Sequence, residues 1–357
     1  MLLNIELRST IYENAIILPV KDGYNDNGCL AGGVLDGDGS FIENSAFSVT
    51  KGCSYEYDHV EQEEDEVIYI GSLLNIFGHT FTDNLKKLWY LCTDECRKRI
   101  TDGAKVVYIT TGNQPLASYS IRFFELAGFD LLSWHHVTHI TRCKSCIIPD
   151  DSFGCEDIYK GGFYTKEFGD IIATIKNNVT KTAGALYPEK IYFTRSKIPN
   201  NQWREMGEEC IEKVFAKMGY SIISPEKLEL ETQLNLLMHC KEFAATEGSV
   251  SHGAVFCKPG TKVIIIRKVD QTNHCQLVLN QVAGVDVTYI NAHRSVQATA
   301  DRPNWGPFYM CITPELESFV GHKIFHLPLC LRPSWWWYNY RNRKIVKRFI
   351  ACVRHDN

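Results

Sequence analysis

The feature that most constrains the fold is an alternation of apolar strands with amphipathic segments in the second half of the chain. Between residues 190 and 266, short runs rich in β-branched and aromatic residues alternate with segments of helical spacing. The predicted strands are Lys190–Thr194, Tyr220–Ile223, Glu242–Thr246 and Lys262–Ile266, and the longer predicted helices are Arg204–Met218 and Leu228–His239. This alternation predicts a doubly wound α/β domain, whose ligands bind at the carboxyl ends of the strands.

The first half of the chain predicts a β-rich start and a second α/β domain. Residues 1–70 combine apolar strands with Asp-Gly turns, and strands and helices alternate from residue 71 onward. A helix is predicted over Gly78–Cys92, because its apolar residues recur on one side. The predicted N-terminal domain consists of a β-rich segment at 1–70 and a part with a parallel sheet at 71–160. A C-terminal domain is predicted at 186–325, and a terminal helix at 333–354.

Composition excludes several other classes of protein. The chain has 357 residues, 45% hydrophobic and 22% charged, so it is not a disordered chain and has enough apolar material for about two domains. A formal net charge of −4 offers no basic footprint for nucleic acid. No apolar run approaches the roughly 20 residues that span a bilayer, and the first residues lack a signal-peptide pattern, so a cytoplasmic protein is expected. Most of the 14 cysteines are expected to be reduced and buried.

A first candidate site is His79 with Asp83. In a helix these residues are i,i+4 neighbours opposite the apolar stripe, and they follow Gly78 at the helix start. The helix dipole favours a neutral imidazole there, and a carboxylate one turn later orients the ring. The pair is therefore a candidate general base. The alternative is that both residues only cap and solvate the start of the helix.

A second candidate is an anion site built from two loops. Arg195, Ser196 and Arg204 lie just past a predicted strand and at the start of the next helix, where backbone N–H groups also favour a phosphate. The turn Thr246–Ala254 adds glycines that permit close backbone approach and side chains that donate hydrogen bonds. Its candidate residues are Gly248, Ser251, His252 and Gly253. Together the two loops suit a diphosphate. The alternatives are a solvated basic loop and an ordinary βα turn.

The order and wording of these blocks resemble glycosyltransferase family 61. Asn75–Trp89 reads N-x-x-x-H-x-x-x-D-x-L-x-x-L-W, and Ile191–Glu208 begins with I-Y-x-x-R-S. Gly219–Ile264 contains Gly-Tyr-Ser-Ile-Ile-Ser-Pro-Glu, then Glu-Thr-Gln, then the Ser-His-Gly-Ala turn followed by Pro-Gly. The likeness covers about residues 15–325 and is strongest in the second half. The chain departs from the family at Gly207, where Asn is common, and at Ile265, where Glu is common.

The resemblance implies a fold and a set of site residues. The implied fold is α/β of the GT-B type, with two Rossmann-like domains facing a cleft and a nucleotide sugar held by the C-terminal one. The residues implied to hold the nucleotide diphosphate are Arg195, Ser196, Arg204, Ser251, His252 and Gly253. Glu231 and Gln233 would line or support that site, and His79 with Asp83 would lie on the acceptor side.

Two further segments allow more than one interpretation. Six His and Cys residues occur between His135 and Cys155, and Cys143-x-x-Cys146 has the spacing of a zinc knuckle, although an extended strand leading to Pro149 is favoured. The basic, aromatic segment 333–354 would suit an anionic membrane surface, although a helix that packs back on the N-terminal domain is favoured.

The expected function is transfer of a sugar, with inversion, from a nucleotide-sugar donor to a hydroxyl of a growing capsule or lipopolysaccharide glycan. The expected donor is UDP-linked and the acceptor is a glycan or lipid-linked glycan. The expected location is the cytoplasm, and the basic C-terminal segment leaves open a peripheral contact with the inner face of the plasma membrane. No metal or other cofactor is expected, because the only D-x-D pair, Asp36 and Asp38, lies in a turn-rich segment. The alternatives are a non-catalytic nucleotide- or sugar-binding protein on the same fold and a zinc-stabilised interaction module.

Overall fold

Strands and helices alternate through most of the chain, and the protein is a mixed α/β structure. The computed structural model describes residues 1–23, 29–46, 52–157, 160–180, 186–199, 205–294 and 306–343. The chain divides into two units. Unit 1 consists of Met1–Val179 and Asn273–Val282, and unit 2 consists of Thr180–Thr272 and Ala283–Asn357.

Unit 1 is built on a seven-stranded mixed sheet. Its strands, in order across the sheet, are Phe41–Ile42, Gly33–Leu35, Ser9–Leu18, Thr141–Pro149, Gln62–Leu73, Lys105–Thr110 and His135–His136. Only the half from Thr141–Pro149 to His135–His136 is parallel. The parallel sheet predicted for 71–160 corresponds to this half, whereas Ser9–Leu18, from the β-rich segment at 1–70, pairs antiparallel on both sides. A tight turn at Asp36–Ser40 joins Gly33–Leu35 to Phe41–Ile42, as is typical of antiparallel neighbours.

The helix predicted over Gly78–Cys92 is wrong in its extent. Only Phe77–Thr80 is α-helical, and a 3-10 helix follows at Leu88–Cys92 after a stretch of turns. The polar residues of the predicted solvent face are buried instead. Lys86 and Lys87 both form ion pairs with Asp151, at 2.8 and 2.7 Å. A straight helix with one apolar face would point these side chains into solvent, so the tertiary ion pairs prevail over helical spacing.

Among the described residues, five α-helices lie in unit 1, the last of them except for its final residue. They are Phe77–Thr80, Asp94–Thr101, Ser118–Leu126, Lys166–Asn178 and His274–Ala283. The last of these lies in sequence between two strands of unit 2, yet packs on the hairpin formed by Phe153–Asp157 and Lys160–Tyr164. A Cβ at Gly162 would lie 2.6 Å from Val278 of that helix, so glycine allows the close approach. A short pair, Leu30–Ala31 with Gly52–Cys53, completes the strands of this unit.

Unit 2 contains a five-stranded parallel sheet. Its order is Ser221–Ile223, Lys190–Phe193, Glu242–Thr246, Lys262–Arg267 and Asp286–Asn291. The four predicted strands are confirmed, and the fifth escaped prediction because it is a half-exposed edge strand without a continuous apolar run. In chain order the sheet reads 2-1-3-4-5, so the direction of winding reverses between Lys190–Phe193 and Glu242–Thr246. The loops that follow these two strands are where a doubly wound sheet binds its ligand.

Five α-helices are described in unit 2. They are Glu208–Lys217, Leu230–His239, Ser249–His252, Pro314–Val320 and Pro333–Arg341. Three of them, Glu208–Lys217, Ser249–His252 and Pro314–Val320, pack against strands of this sheet. The first begins later than predicted, because Glu205–Met206 forms a short strand with Phe308–Tyr309. Gly207 then turns the chain at a φ of 92°, and a Cβ there would lie 2.1 Å from the carbonyl oxygen of Met310. None of the ten α-helices of the described residues is long and apolar enough to cross a membrane.

Candidate active site

His79 and Asp83 form a close pair just beyond the carboxyl end of a parallel strand. His79 lies in the short helix after strand Gln62–Leu73, and its Nδ1 is 2.6 Å from Asp83 Oδ2. The side chain of Asp83 is 1% exposed and that of His79 is 32% exposed. The carboxylate is therefore buried, not solvated as its spacing suggested, and the imidazole reaches solvent above it.

Side chains on both sides of this pair hold the segment in place. Asn84 accepts a hydrogen bond from Leu74 N at 2.9 Å and donates one to Leu74 O at 3.1 Å, which ties the segment to the end of the strand. Asn75 accepts from Ala117 N at 2.7 Å, at the start of the next helix. Thr82 Oγ1 donates to Asp83 Oδ2 at 3.0 Å and so helps to fix the carboxylate.

The Asp83 carboxylate determines the protonation of His79. Burial disfavours the imidazolium, but the charge of Asp83 and its hydrogen bond outweigh this effect, so the pKa of His79 is raised above 6.5. The expectation of a lowered pKa at a helix start is not met, because the carboxylate dominates. In the neutral ring Asp83 accepts the Nδ1 proton, which leaves the lone pair on Nε2. This arrangement suits a general base.

In unit 2, two cations and a carboxylate gather at the switch point of the parallel sheet. Glu205 Oε1 lies 2.9 Å from Lys268 Nζ, and Glu205 Oε2 lies 3.4 Å from Arg195 Nε. A Cβ at Gly248 would lie 3.5 Å from Lys268 Nζ and 3.6 Å from Arg195 Nη1. Both cations therefore converge on the backbone of the Gly248 turn. The buried Glu247 carboxylate, next to Gly248 in the chain, also acts on Lys268, so two cations and two carboxylates lie together at this turn.

Glu208 positions the Arg195 loop. Its carboxylate accepts hydrogen bonds from Arg195 N at 3.1 Å and from the Tyr192 hydroxyl at 3.1 Å. Burial, together with the nearby charge of Glu205, raises the pKa of Glu208 to about 8. Ser196 continues the same loop, and its N–H donates to Thr194 Oγ1 at 3.0 Å. The loop conformation that presents Arg195 is thus fixed from the first turn of helix Glu208–Lys217.

The other candidates of the Gly248 turn have local partners in unit 2. Ser251 Oγ accepts from Gly248 N at 3.0 Å and donates to Gly248 O at 2.9 Å, so this hydroxyl shapes the turn. His252 is buried in the same short helix. A Cβ at Gly253 would lie 3.2 Å from Leu237 Cδ1, which indicates that this glycine allows helix Leu230–His239 to pack closely.

Two candidates, Glu231 and Gln233, lie on helix Leu230–His239. Gln233 donates to Leu228 O at 3.0 Å and so fixes the loop before its own helix. Glu231 lies in the first turn of that helix. Arg204 lies outside the described residues.

Sequence reasoning missed two members of the cation cluster, Lys268 and Glu205. Lys268 directly follows strand Lys262–Arg267, which neighbours Glu242–Thr246 in the sheet, so its position at a carboxyl end was the available signal. Burial lowers the pKa of Lys268, and the charge of Glu205 opposes that effect. The sequence predicts Glu205 at the start of a helix. In the structure it lies in the short strand Glu205–Met206, where it is buried and pairs with both cations.

The His135–Cys155 segment is a strand in its central part. Cys143 and Cys146 are both buried in Thr141–Pro149, where they pair in register with Ala15 and Tyr12 of the neighbouring strand. Within the described ranges, no group of three or more His, Cys, Asp or Glu side chains is arranged to hold a metal ion. Asp36 Oδ1 accepts hydrogen bonds from Asp38 N and Ser40 N, at 3.0 and 2.8 Å, and so shapes a tight turn.

Comparison with known proteins agrees with the sequence blocks. No curated protein matches the chain in a sequence search. The family model described as Glycosyltransferase 61 matches residues 77–264, more than half of the chain. The match begins two residues before His79 and extends through Arg195, Glu205 and the Gly248 turn to strand Lys262–Arg267. The chain therefore belongs to glycosyltransferase family 61.

Proposed function

We propose that the protein transfers a sugar, with inversion, from a nucleotide-sugar donor to a hydroxyl of a glycan acceptor. The observation that carries this proposal is the His79–Asp83 pair, a partly exposed imidazole backed by a buried carboxylate at 2.6 Å. Inverting transfer needs a base that takes the proton of the acceptor hydroxyl as its oxygen attacks the anomeric carbon.

The pair supports this step in both protonation states. Nε2 of neutral His79 takes the hydroxyl proton while the new C–O bond forms and the bond to the nucleotide diphosphate breaks. The resulting imidazolium lies against Asp83, whose charge stabilises it. A base positioned in this way contributes a factor of about 10² to 10⁴ to the rate.

The cations of unit 2 suit the leaving diphosphate. Arg195 and Lys268 flank the Gly248 backbone, and both contact Glu205. A diphosphate bound there gains two positive partners in a buried setting, where charge stabilisation is stronger than in water. We propose that these side chains neutralise the departing charge and that transfer needs no metal ion. The proposed donor site also includes Ser196, Arg204, Glu231, Gln233, Ser251, His252 and Gly253.

The finer assignments rest on the family resemblance. They are a UDP-linked donor, a capsule or lipopolysaccharide acceptor that is a glycan or lipid-linked glycan, and a GT-B arrangement of two Rossmann-like units. The 2-1-3-4-5 strand order of unit 2 supports the last of these for that unit. We place the protein in the cytoplasm, at the inner face of the plasma membrane, with a peripheral contact through its basic C-terminal helix.

Donor binding is tested by thermal unfolding of the purified protein with UDP-, GDP-, CMP- and TDP-sugars. One nucleotide sugar at about 100 times its Kd should stabilise the fold by about 2.7 kcal/mol. Arg195→Gln should remove most of this stabilisation, because it deletes a cation beside Gly248. Lys258→Gln, which removes an exposed lysine elsewhere in unit 2, is the matched control and should retain it. Equal stabilisation of both variants would contradict the donor site.

Catalysis is tested with the donor identified in this way. His79→Ala should retain the donor-induced stabilisation and lose transfer by about 10² to 10⁴-fold. His59→Ala, which removes an exposed histidine, should leave transfer unchanged. A protein that binds the nucleotide sugar without catalysis would show stabilisation and no turnover even with its natural residues, and that result would favour the non-catalytic alternative.

A further inference from the structure

Unit 2 exposes large apolar side chains over one short stretch of chain. Of the fourteen exposed large hydrophobic residues of the described ranges, six lie between residues 325 and 340. They are Phe325, Leu327, Leu331, Trp336, Trp337 and Tyr340. Phe325 is 98% exposed and Trp336 is 66% exposed. Such a concentration marks an interaction surface, since single exposed hydrophobic residues are otherwise scattered.

The same stretch borders a cationic groove. A cavity of about 1040 Å³ lies between helix Glu208–Lys217 and the chain from Val320 to Trp337. Its basic lining residues are Lys213, Lys217, His322, Lys323, His326 and Arg332. Its acidic lining residues are Glu209 and Glu205, and Glu205 is buried against Lys268. Phe325, Leu327 and Trp337 line the same groove, so the apolar and basic side chains form one surface.

The helix that carries the tryptophans is fixed on one side and exposed on the other. Tyr338 is buried, donates from its hydroxyl to Pro307 O at 2.9 Å, and lies 5.3 Å from the ring of Tyr309. On the outer side, the Trp336 indole N–H donates to Cys330 O at 2.6 Å. The indole therefore already has its hydrogen bond within the protein and can enter an apolar phase without losing one to water.

Charge determines which partner suits this surface. The described residues 318–343 contain four Lys or Arg and no Asp or Glu, although the whole chain carries a net charge of −4. An apolar partner without negative charge would leave the basic side chains of this surface without anions. Tryptophan and tyrosine beside lysine and arginine, with exposed Phe and Leu, is the combination that anchors proteins at an anionic membrane surface.

We propose that the groove and the outer face of helix Pro333–Arg341 bind an anionic lipid bilayer, with Phe325 and Trp336 inserted and Lys213, Lys217, Lys323 and Arg332 at the headgroups. The proposal deepens the peripheral membrane contact of the proposed function and rests on it. It assigns that contact to residues 322–340 and to the groove wall of helix Glu208–Lys217.

Co-sedimentation of the full-length protein with vesicles tests the proposal. Binding should be strong to phosphatidylcholine vesicles that contain phosphatidylglycerol and weak to phosphatidylcholine alone. It should fall as salt rises, because the screening length shortens from roughly 10 Å at 0.1 M to 3 Å at 1 M. Equal binding to neutral vesicles, or binding insensitive to salt, would overturn the assignment to anionic lipid.

Matched variants locate the surface. Phe325→Ser with Trp336→Ser should weaken vesicle binding at least tenfold, and Lys323→Glu should weaken it about fivefold or more. Leu186→Ser removes an equally exposed side chain, since Leu186 is also 98% exposed, and should have no effect. Lys258→Glu makes the same charge change at another exposed lysine of unit 2 and should have little effect. Equal losses in the control variants would overturn the proposed surface.

The same variants separate this proposal from the proposed function. The Phe325→Ser, Trp336→Ser protein should still transfer sugar to a water-soluble acceptor at its normal rate, because neither residue belongs to the proposed catalytic groups. Lost vesicle binding with normal transfer supports the surface. Normal vesicle binding in this variant contradicts the surface whatever the transfer rate, and absent transfer by the natural protein contradicts only the proposed function.

Discussion

The Asp83 carboxylate determines the pH range over which His79 is protonated. Because Asp83 Oδ2 lies 2.6 Å from His79 Nδ1, it favours the imidazolium and raises the pKa of His79 above 6.5. A raised folded-state pKa stabilises the fold at acid pH, fully below the unfolded-state pKa of about 6.5, and this contribution is lost as the pH rises through the raised value. Catalysis has the opposite dependence, since a base works only when it is deprotonated.

The pH profile of transfer should therefore report on this pair. The acid limb of kcat/KM should lie above pH 6.5 in the natural protein. Asp83→Asn should move the limb to lower pH, since the charge that raises the pKa of His79 is gone, and should lower the plateau by about 10² to 10⁴-fold. Asp65→Asn, which removes an exposed carboxylate in the same unit, serves as control and should change neither. An acid limb that stays in place in Asp83→Asn would show that His79 is not the titrating group.

The contacts of some site residues can be predicted from the sequence alone, and those of others cannot. His79 and Asp83 are four positions apart, so local spacing was enough to predict their contact, and the 2.6 Å distance confirms it. Lys268 is twenty positions from Gly248, and the two meet only because neighbouring parallel strands end side by side. Local periodicity carries no information on that pairing, so Lys268 was predictable as a residue at a strand end and not as a partner of Arg195.

Strands whose side chains are buried in an apolar core were predictable from the sequence. A segment whose conformation depends on polar contacts with distant residues was not. Strands such as Lys262–Arg267 are apolar runs buried in a parallel sheet, and their composition alone indicates this. The stretch from Phe81 to Cys92 has an apolar stripe of helical spacing, yet its structure depends on Asn84, Lys86 and Lys87, which bond to distant parts of unit 1. Helical periodicity assumes that the polar face meets water, and here that face meets protein.

Asp151 is the residue on which this stretch depends most. It pairs with two buried lysines, and burial lowers the pKa of Lys87 to about 8 despite the opposing effect of Asp151. Asp151→Asn leaves two buried ammonium groups without their counter-charge, and it should lower the free energy of unfolding by about 3–5 kcal/mol. Urea denaturation at pH 7 measures this change. The matched variant Asp65→Asn breaks an exposed ion pair with Lys144 and should change stability little, because water screens that pair. Similar midpoints for the two variants would contradict a structural role for the buried cluster.

On the scale of the whole molecule, net charge conceals where the charges act. The chain carries −4 overall, yet Arg195 and Lys268 lie together at the Gly248 turn, and a groove with a basic lining, which shares Glu205 with them, lies in the same unit. The order of elements in the chain also does not show which unit an element belongs to. Helix His274–Ala283 packs in unit 1, although the strands before and after it belong to unit 2. Neither property follows from composition or from local pattern, because both depend on which distant segments meet.

The charge at the Gly248 turn leads to an expectation for the complete enzyme. If Arg195 and Lys268 supply the positive charge that a leaving diphosphate needs, both donor-induced stabilisation and transfer should persist in excess EDTA, and added Mn²⁺ should raise neither. Both readouts are needed, because a metal that only bridges donor and protein would change the thermal midpoint as well as the rate, whereas a metal required in the transition state would change the rate alone. Loss of transfer in EDTA with recovery on Mn²⁺ would contradict catalysis by side-chain cations. Loss of stabilisation as well would mean that a bound metal ion, and not Arg195 with Lys268 alone, holds the diphosphate.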